Sequence, residues 1–160
     1  MVMHSHGLAP AFLEMADAVL RANSLPPALR ELAIVRVGHT YAAAYEIHHH
    51  ERIGRAVGMT DAAIEAARTG DTAGVTELER LVLRWTDTLL ADHALVGADR
   101  DDALATLGVE HVADLVLTVG FYQLVCNFLN TFHVTTDGET PPRLPRTTPT
   151  ATTDRKSRLR

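Results

Sequence analysis

Tyr45-Glu46-Ile47-His48-His49-His50-Glu51-Arg52 is the most distinctive stretch of this chain, because it sets three adjacent imidazoles among carboxylates in an otherwise Ala-, Val- and Leu-rich pattern. If residues 43–57 form one helix, Glu46 and His50 are four residues apart and share a face. Neighbouring positions on a helix differ by about 100°, so the three histidines point in different directions. They cannot all serve one site.

The surrounding sequence predicts an all-α domain of about six to seven helices. Apolar residues recur at helical spacing, and proline, glycine and capping residues separate the segments. The expected helices run from Pro10 to Asn23, from Pro26-Pro27 to about Gly38-His39, through residues 43–57 to a stop at Gly58, from Thr60 to Ala67, from Thr76 to Leu90, from Asp99 to Gly108, and from about Glu110 to Phe132. A break near Gly38-His39 would let the second and third helices fold back on one another. The last helix is expected to be the most buried one, or to pack against another subunit.

Length and charge predict one folded domain with a tail. The chain has 160 residues, 46% of them hydrophobic, and a formal charge of −5. Residues 135–160 hold six Lys or Arg against three Asp or Glu, which leaves nine against 17 in residues 1–134. Residues 1–134 are therefore the expected helical domain, whose acidic balance argues against nucleic-acid binding. The basic tail, rich in Pro, Thr and Arg, is expected to be disordered.

The cysteine content and the hydropathy favour a cytoplasmic protein. Cys126 is the single cysteine, which excludes an intramolecular disulfide and a CxxC redox pair, and its apolar neighbours predict an inert core thiol. The N-terminus lacks the pattern of a signal peptide. No apolar run is expected to reach the roughly 18 residues that a membrane helix needs, so no membrane partner is expected.

The Glu46 and His50 pair suits proton transfer. A carboxylate one turn from an imidazole can orient it and tune the one side chain whose ordinary pKa lies near neutrality. A metal site is the competing interpretation, since Glu46 and His49 have the Glu-x-x-His spacing of di-iron helical bundles. The chain contains no second copy of that motif, and neither a metal nor another cofactor is expected.

The order of several motifs resembles the carboxymuconolactone decarboxylase family, which includes the AhpD-like alkylhydroperoxidases. The motifs are Leu25-Pro26, Arg30-Glu31-Leu32-Ala33-Ile34-Val35-Arg36-Val37, Tyr45-Glu46-Ile47-His48-His49-His50 and Gly58-Met59-Thr60-Asp61-Ala62-Ala63-Ile64. The likeness covers about residues 8 to 134. It implies an AhpD-like helical domain that assembles into a homotrimer or homohexamer, with a pocket for a small-molecule substrate beside the Glu and His.

The family has two branches, and the resemblance allows this chain to be compared with the pattern of the peroxidase branch. The peroxidase branch has a Glu, two cysteines separated by two residues, and a His four residues after the second cysteine. In this chain the Glu and the His correspond to Glu31 and His50, but Ala43 and Glu46 occupy the cysteine positions. Reduction of a peroxide through a dithiol needs both thiols, so an antioxidant peroxidase is disfavoured.

The decarboxylase-like branch leaves Glu31, Glu46 and His50 as the candidate catalytic residues. In this hypothesis the site acts on a small carbonyl or lactone acid through an enol or enolate, with decarboxylation or isomerisation as the reaction. His50 moves the proton, Glu46 orients it, and Glu31 holds the network or serves as a second acid or base. The candidate substrate-binding residues are Tyr45, Tyr41, His39 and Tyr122.

A non-catalytic protein of the same fold is the alternative. Glu31, Glu46 and His50 would then be a buried polar network that fixes helix packing, in a protein that binds a small molecule or only assembles. The cost of burying three charged groups argues against a purely structural role.

Overall fold

The computed structural model describes residues 2–136 of the chain, which form six α-helices after a short 3-10 turn. The turn is Val2–His4, and the helices are α1 (Ala9–Arg21), α2 (Pro27–Thr40), α3 (Ala44–Ala56), α4 (Asp61–Thr69), α5 (Glu77–Asp92) and α6 (Gly97–Thr131). No strand occurs in this part of the chain, so the predicted all-α class is confirmed. Nearly all of the predicted tail, from residue 137 onward, lies outside the described residues.

Helix α2 is the centre of the fold. It contacts α3, α4, α5 and α6, and nine of its 14 residues are buried, compared with eight of the 35 residues of α6. Residues 110–132 are therefore not the most buried helix, and the alternative expectation, that this helix packs against another subunit, stays a prediction. The apolar content of a helix predicts that its face is buried, but it does not show whether residues of the same chain bury it.

The ends of the helices follow their local sequence signals. The helix expected from Thr76 begins there as α5: Thr76 and Glu79 form a capping box, in which the Thr76 backbone N–H donates to Glu79 Oε2 at 2.8 Å. The Ala63 backbone N–H donates to Thr60 Oγ1 at 3.1 Å, which caps α4. At its C-terminal end α4 stops at Gly70 with a φ of 81°, where glycine has no steric penalty.

A tight turn folds α3 back against α2, as the break near Gly38 predicts. The turn comprises residues 41–43, and Ala42 adopts a φ of 50° there. The two helices come so close that a Cβ atom on Gly38 would lie 3.3 Å from Ile47 Cγ1. This close approach places the middle of α2 opposite the middle of α3.

Helix α6 bends at Gly108, which has the non-helical angles φ 80° and ψ 165°. The helical stretches on its two sides correspond to the two helices that the sequence predicts there. Among the described residues, α6 alone is long and apolar enough to span a membrane by length and composition, with a mean hydropathy of 1.6 over 18 residues. This corrects the expectation that no stretch reaches that length. Core helices of soluble proteins can pass the same test.

Candidate active site

The site is built on the buried face of α3. His50 Nε2 lies 3.1 Å from Glu46 Oε2, as the four-residue spacing predicts, and both side chains are buried. His48 is exposed, while His49 stacks on Tyr45 with ring centroids 4.3 Å apart. The three adjacent histidines therefore have three different surroundings, and His50 alone faces Glu46.

Helix α2 supplies a second carboxylate to the same imidazole. Glu31 is completely buried, and its Oε2 atom lies 2.6 Å from His50 Nδ1. The fold-back of α3 on α2 makes this contact possible across 19 residues of sequence. His50 thus joins Glu31 and Glu46, one at each ring nitrogen.

The two carboxylates hold a proton on His50. Burial by itself lowers the pKa of His50, but the hydrogen bonds and negative charges of Glu31 and Glu46 outweigh burial and raise the pKa to about 9. At neutral pH His50 is therefore an imidazolium, whose Nδ1–H donates to Glu31 and whose Nε2 forms an ion pair with Glu46. The resting form of the site carries the proton that a general acid needs.

Arg30 extends this network, although the sequence-based prediction of the site did not include it. Its Nε and Nη2 atoms both donate to Glu31 Oε1 at 3.3 Å. Adjacent residues on a helix point about 100° apart, so helical spacing gives no signal for this contact. The signal that could have found it is an arginine at the start of a densely apolar stretch of α2, since a buried guanidinium needs an acidic partner.

Helix α6 closes the site with Tyr122 and Cys126. The Tyr122 ring meets the His50 ring edge to face, with centroids 5.0 Å apart. Cys126 is fully buried, and burial together with the charge of Glu46 raises its pKa to about 12. The thiol therefore stays protonated and inert, in agreement with its apolar sequence context.

Three other residues predicted to bind substrate make their contacts elsewhere. The Tyr41 hydroxyl accepts a hydrogen bond from Gln123 Nε2. His39 Nε2 lies 3.1 Å from Glu51 Oε1, and Tyr45 packs on His49. Of the four candidates, Tyr122 alone contacts His50, and the binding roles of the other three remain predictions.

The contacts of Glu46 do not support the interpretation that Glu46 and His49 form a metal site. Its carboxylate bonds to His50 and not to His49, so the Glu-x-x-His spacing does not form a ligand pair. Within residues 2–136 no three His, Cys, Asp or Glu side chains are arranged to hold a metal ion.

The larger of two described cavities lies apart from His50. It has a volume of about 390 Å³ between the 3-10 turn, α1 and α6, and its walls are almost entirely apolar. Phe121 lines it and also contacts Tyr122, with ring centroids 5.7 Å apart. Two aromatic rings in succession, Phe121 and Tyr122, therefore connect the wall of this cavity to the imidazole.

Comparisons with known proteins agree with this architecture. The model of the carboxymuconolactone decarboxylase family matches residues 7–88, just over half of the chain and less than the residues 8–134 expected from the motifs. A crystal structure from Agrobacterium tumefaciens, titled as a protein of unknown function with a suggested link to the antioxidant defence protein AhpD, superposes with a TM-score of 0.71. It is 18% identical and covers 81% of this chain and 90% of that one, which shows a shared fold. No curated protein matches the sequence.

Proposed function

Because this chain belongs to the carboxymuconolactone decarboxylase family, we propose that it is an enzyme that uses His50, Glu46 and Glu31 as an acid and base site. The proposed substrate is a small carbonyl or lactone acid that reacts through an enol or enolate. The observation that carries this proposal is a buried imidazolium held between two carboxylates, at 2.6 Å and 3.1 Å. Titratable groups with strongly shifted pKa values and specific charged partners are typical of catalytic sites.

The two carboxylates suit different roles. Glu31 is completely buried and makes the shorter bond, so it fixes the ring through Nδ1. Glu46 is less deeply buried and its carboxylate lies farther from the ring, at Nε2, so we propose that a proton is exchanged on this side. We therefore propose Glu31 for the orienting role, whereas the sequence-based hypothesis gave that role to Glu46. His50 remains the group that moves the proton, with Glu46 sharing it.

A protonated His50 fits the second half of a decarboxylation. The bond between the α carbon and the carboxylate carbon breaks, CO₂ leaves, and the electron pair passes into the conjugated carbonyl of the substrate as an enolate. His50 then gives its Nε2 proton to carbon, and solvent restores the imidazolium. An isomerisation would use the same groups, with Glu46 as the base that first accepts a proton from carbon.

A second candidate function has its own supporting observation. Both ring nitrogens of His50 already face carboxylates, at 2.6 Å and 3.1 Å, so neither is free for a substrate until one partner moves. This occupancy favours a non-catalytic protein in which the trio fixes the packing of α2 on α3. In that case replacing His50 changes stability and removes no turnover.

The antioxidant alternative receives less support. Glu46 occupies a position of the redox cysteine pair and is engaged by His50, while the remaining thiol, Cys126, is buried with a pKa of about 12. Thiol peroxidases need an accessible thiolate and a resolving partner. We therefore favour lyase or isomerase chemistry.

Proton NMR in D₂O tests the proposal. Carboxymuconolactone and a panel of enolisable keto acids are incubated with the wild-type protein, with His50→Ala, and with His49→Ala as the matched control one position away. We expect loss of carboxylate, or deuterium at the α or γ carbon, with the wild type and His49→Ala, and a rate at least about 100-fold lower with His50→Ala. Equal rates for the two variants, at equal mass by light scattering, would exclude His50 as the catalyst and favour the non-catalytic function.

A further inference from the structure

Arg30 is a buried cation that uses only part of its hydrogen-bonding capacity. Its side chain is 11% exposed. Two of its nitrogens donate to the same oxygen of Glu31, and Nη1 has no hydrogen-bond partner within residues 2–136. A guanidinium has five N–H donors, and leaving such donors unpaired in a protein interior is costly.

The Tyr122 hydroxyl is a second unused donor next to the same network. Tyr122 is 4% exposed, and its hydroxyl has no hydrogen-bond partner in the described part of the chain. Burial, followed by the charges of Glu46 and Glu31, raises its pKa, whereas the Arg30 charge lowers it. The hydroxyl therefore lies within electrostatic reach of all three groups and stays protonated at neutral pH.

Neither donor is completely sealed from solvent. Within residues 2–136, the polar side-chain atoms that are sealed from solvent and lack a partner are Arg84 Nε, Trp85 Nε1 and Thr136 Oγ1. Arg30 Nη1 and the Tyr122 hydroxyl do not belong to that set, although both residues are at least nine-tenths buried. A small ligand that enters beside His50 would therefore meet a fixed guanidinium edge and a fixed hydroxyl.

We propose that Arg30 Nη1 and the Tyr122 hydroxyl form a carboxylate-binding subsite beside His50, and that the ligand is a small organic acid. Arginine donors match the geometry of a carboxylate, and a tyrosine hydroxyl can donate to its second oxygen. Glu31 and Glu46 balance the positive charges of Arg30 and His50, so the site has no surplus positive charge for a phosphate dianion and favours a monoanion. Arg30 and His50 contact the two oxygens of one Glu31 carboxylate, so both lie within the span of one small molecule.

This inference extends the proposed function, on which it rests for the reaction at His50, but binding can be measured without turnover. The probes are levulinate, a small keto acid, and levulinamide, which has the same carbon skeleton without the charge. Their affinities are measured at pH 7 by ligand-observed NMR titration. We expect the wild type to bind levulinate at least about tenfold more tightly than levulinamide, the size of a typical charged hydrogen bond.

Two variants test whether the subsite causes the preference for levulinate, and a third is the control. Arg30→Gln should abolish it, and Tyr122→Phe, which keeps the ring against His50, should reduce it severalfold. Arg84→Gln is the control, because Arg84 pairs with Asp99 and Asp102 on a partly exposed surface and should leave both affinities unchanged. Circular dichroism checks that each variant is folded.

The comparison of levulinate with levulinamide in the wild type tests the carboxylate-binding subsite even if Arg30→Gln does not fold. Equal affinity for the acid and the amide, or no measurable binding of either, overturns the subsite. A preference that persists in folded Arg30→Gln overturns the role of Arg30. Preference for the acid without any turnover in D₂O keeps the subsite and refutes the proposed reaction, so the two failures are distinguishable.

Discussion

His50 has a proton in the folded protein that it lacks near neutral pH in the unfolded chain, so its network makes stability depend on pH. The folded pKa is about 9 and the unfolded value is about 6.5, because the bonds to Glu31 and Glu46 outweigh the opposing effect of burial. A raised folded pKa contributes stability that is fully present below pH 6.5 and is lost as the pH rises through 9. We expect the wild type to lose on the order of 3 kcal/mol of unfolding free energy across this window relative to His50→Gln. Urea unfolding at pH 6, 7.5, 9 and 10 measures this difference.

His49→Gln is the control for this experiment, because His49 lies one position along α3 and has Tyr45 as its aromatic neighbour. Its stability should follow that of the wild type at every pH. A constant difference between the wild type and His50→Gln from pH 6 to pH 10 would show that folding does not raise the pKa of His50.

The two carboxylates should contribute unequally to the pKa of His50. Glu31 makes the shorter bond and is the more buried of the two. We expect Glu31→Gln to lower the pKa of His50 further than Glu46→Gln does, with both variants titrating below the wild type. Proton and carbon NMR of the His50 ring gives the three values. A larger decrease for Glu46→Gln would mean that Glu46 is the principal partner.

The sequence predicted one contact of this network and missed another. Glu46 and His50 follow from the four-residue spacing within one helix, whereas Glu31 entered through the family resemblance, because its contact depends on how α3 folds back on α2. Arg30 was missed because the partner of this residue is its immediate neighbour in sequence. Helical periodicity predicts which residues of one helix share a face, and it carries no information about which side chains of two packed helices meet.

The sequence predicted the ends of individual helices better than it predicted the contacts between helices. Capping residues and glycines act within a few positions, so the start of α5 at Thr76 was predicted, and α4 ends at Thr69, two residues beyond the predicted Ala67. How much of a helix is buried depends on the helices that pack around it. For that reason α2, and not α6, proved to be the central helix.

Gly108 separates the two helical parts of α6, and a substitution there tests that role. Its φ of 80° and ψ of 165° belong to a backbone region that is almost restricted to glycine. We expect Gly108→Ala to lower the unfolding free energy by about 1 to 3 kcal/mol. Ala105→Gly makes the reverse exchange at an exposed helical position and should cost about 1 kcal/mol. Chemical denaturation compares the two, and a stabilised Gly108→Ala would mean that α6 continues through this residue as regular helix.

At the scale of the whole molecule, α6 presents an apolar surface that the described part of the chain leaves uncovered. Val109, Val116, Leu117 and Leu124 are 76%, 43%, 51% and 53% exposed, and we call these four residues the α6 stripe. Ala113 and Gly120 are also exposed and continue the stripe at spacings of three and four residues. Single exposed apolar residues are common, but a continuous stripe is typical of a surface that packs on another protein.

We propose that the α6 stripe packs against other copies of this chain, which gives the homotrimer or homohexamer that the family resemblance implies. A charged side chain in such a contact would lose its hydration without gaining a partner. We therefore expect Leu117→Glu and Leu124→Glu to reduce the mass to that of one 17.4 kDa chain, while the wild type has three or six times that mass. Leu78→Glu, the same exchange at an exposed leucine of α5, is the control and should leave the assembly intact. Light scattering after size exclusion measures all four proteins. A monomeric wild type at micromolar concentration would show that the α6 stripe does not pack against another copy of the chain. Full assembly of Leu124→Glu would show that the subunit contact lies away from the α6 stripe.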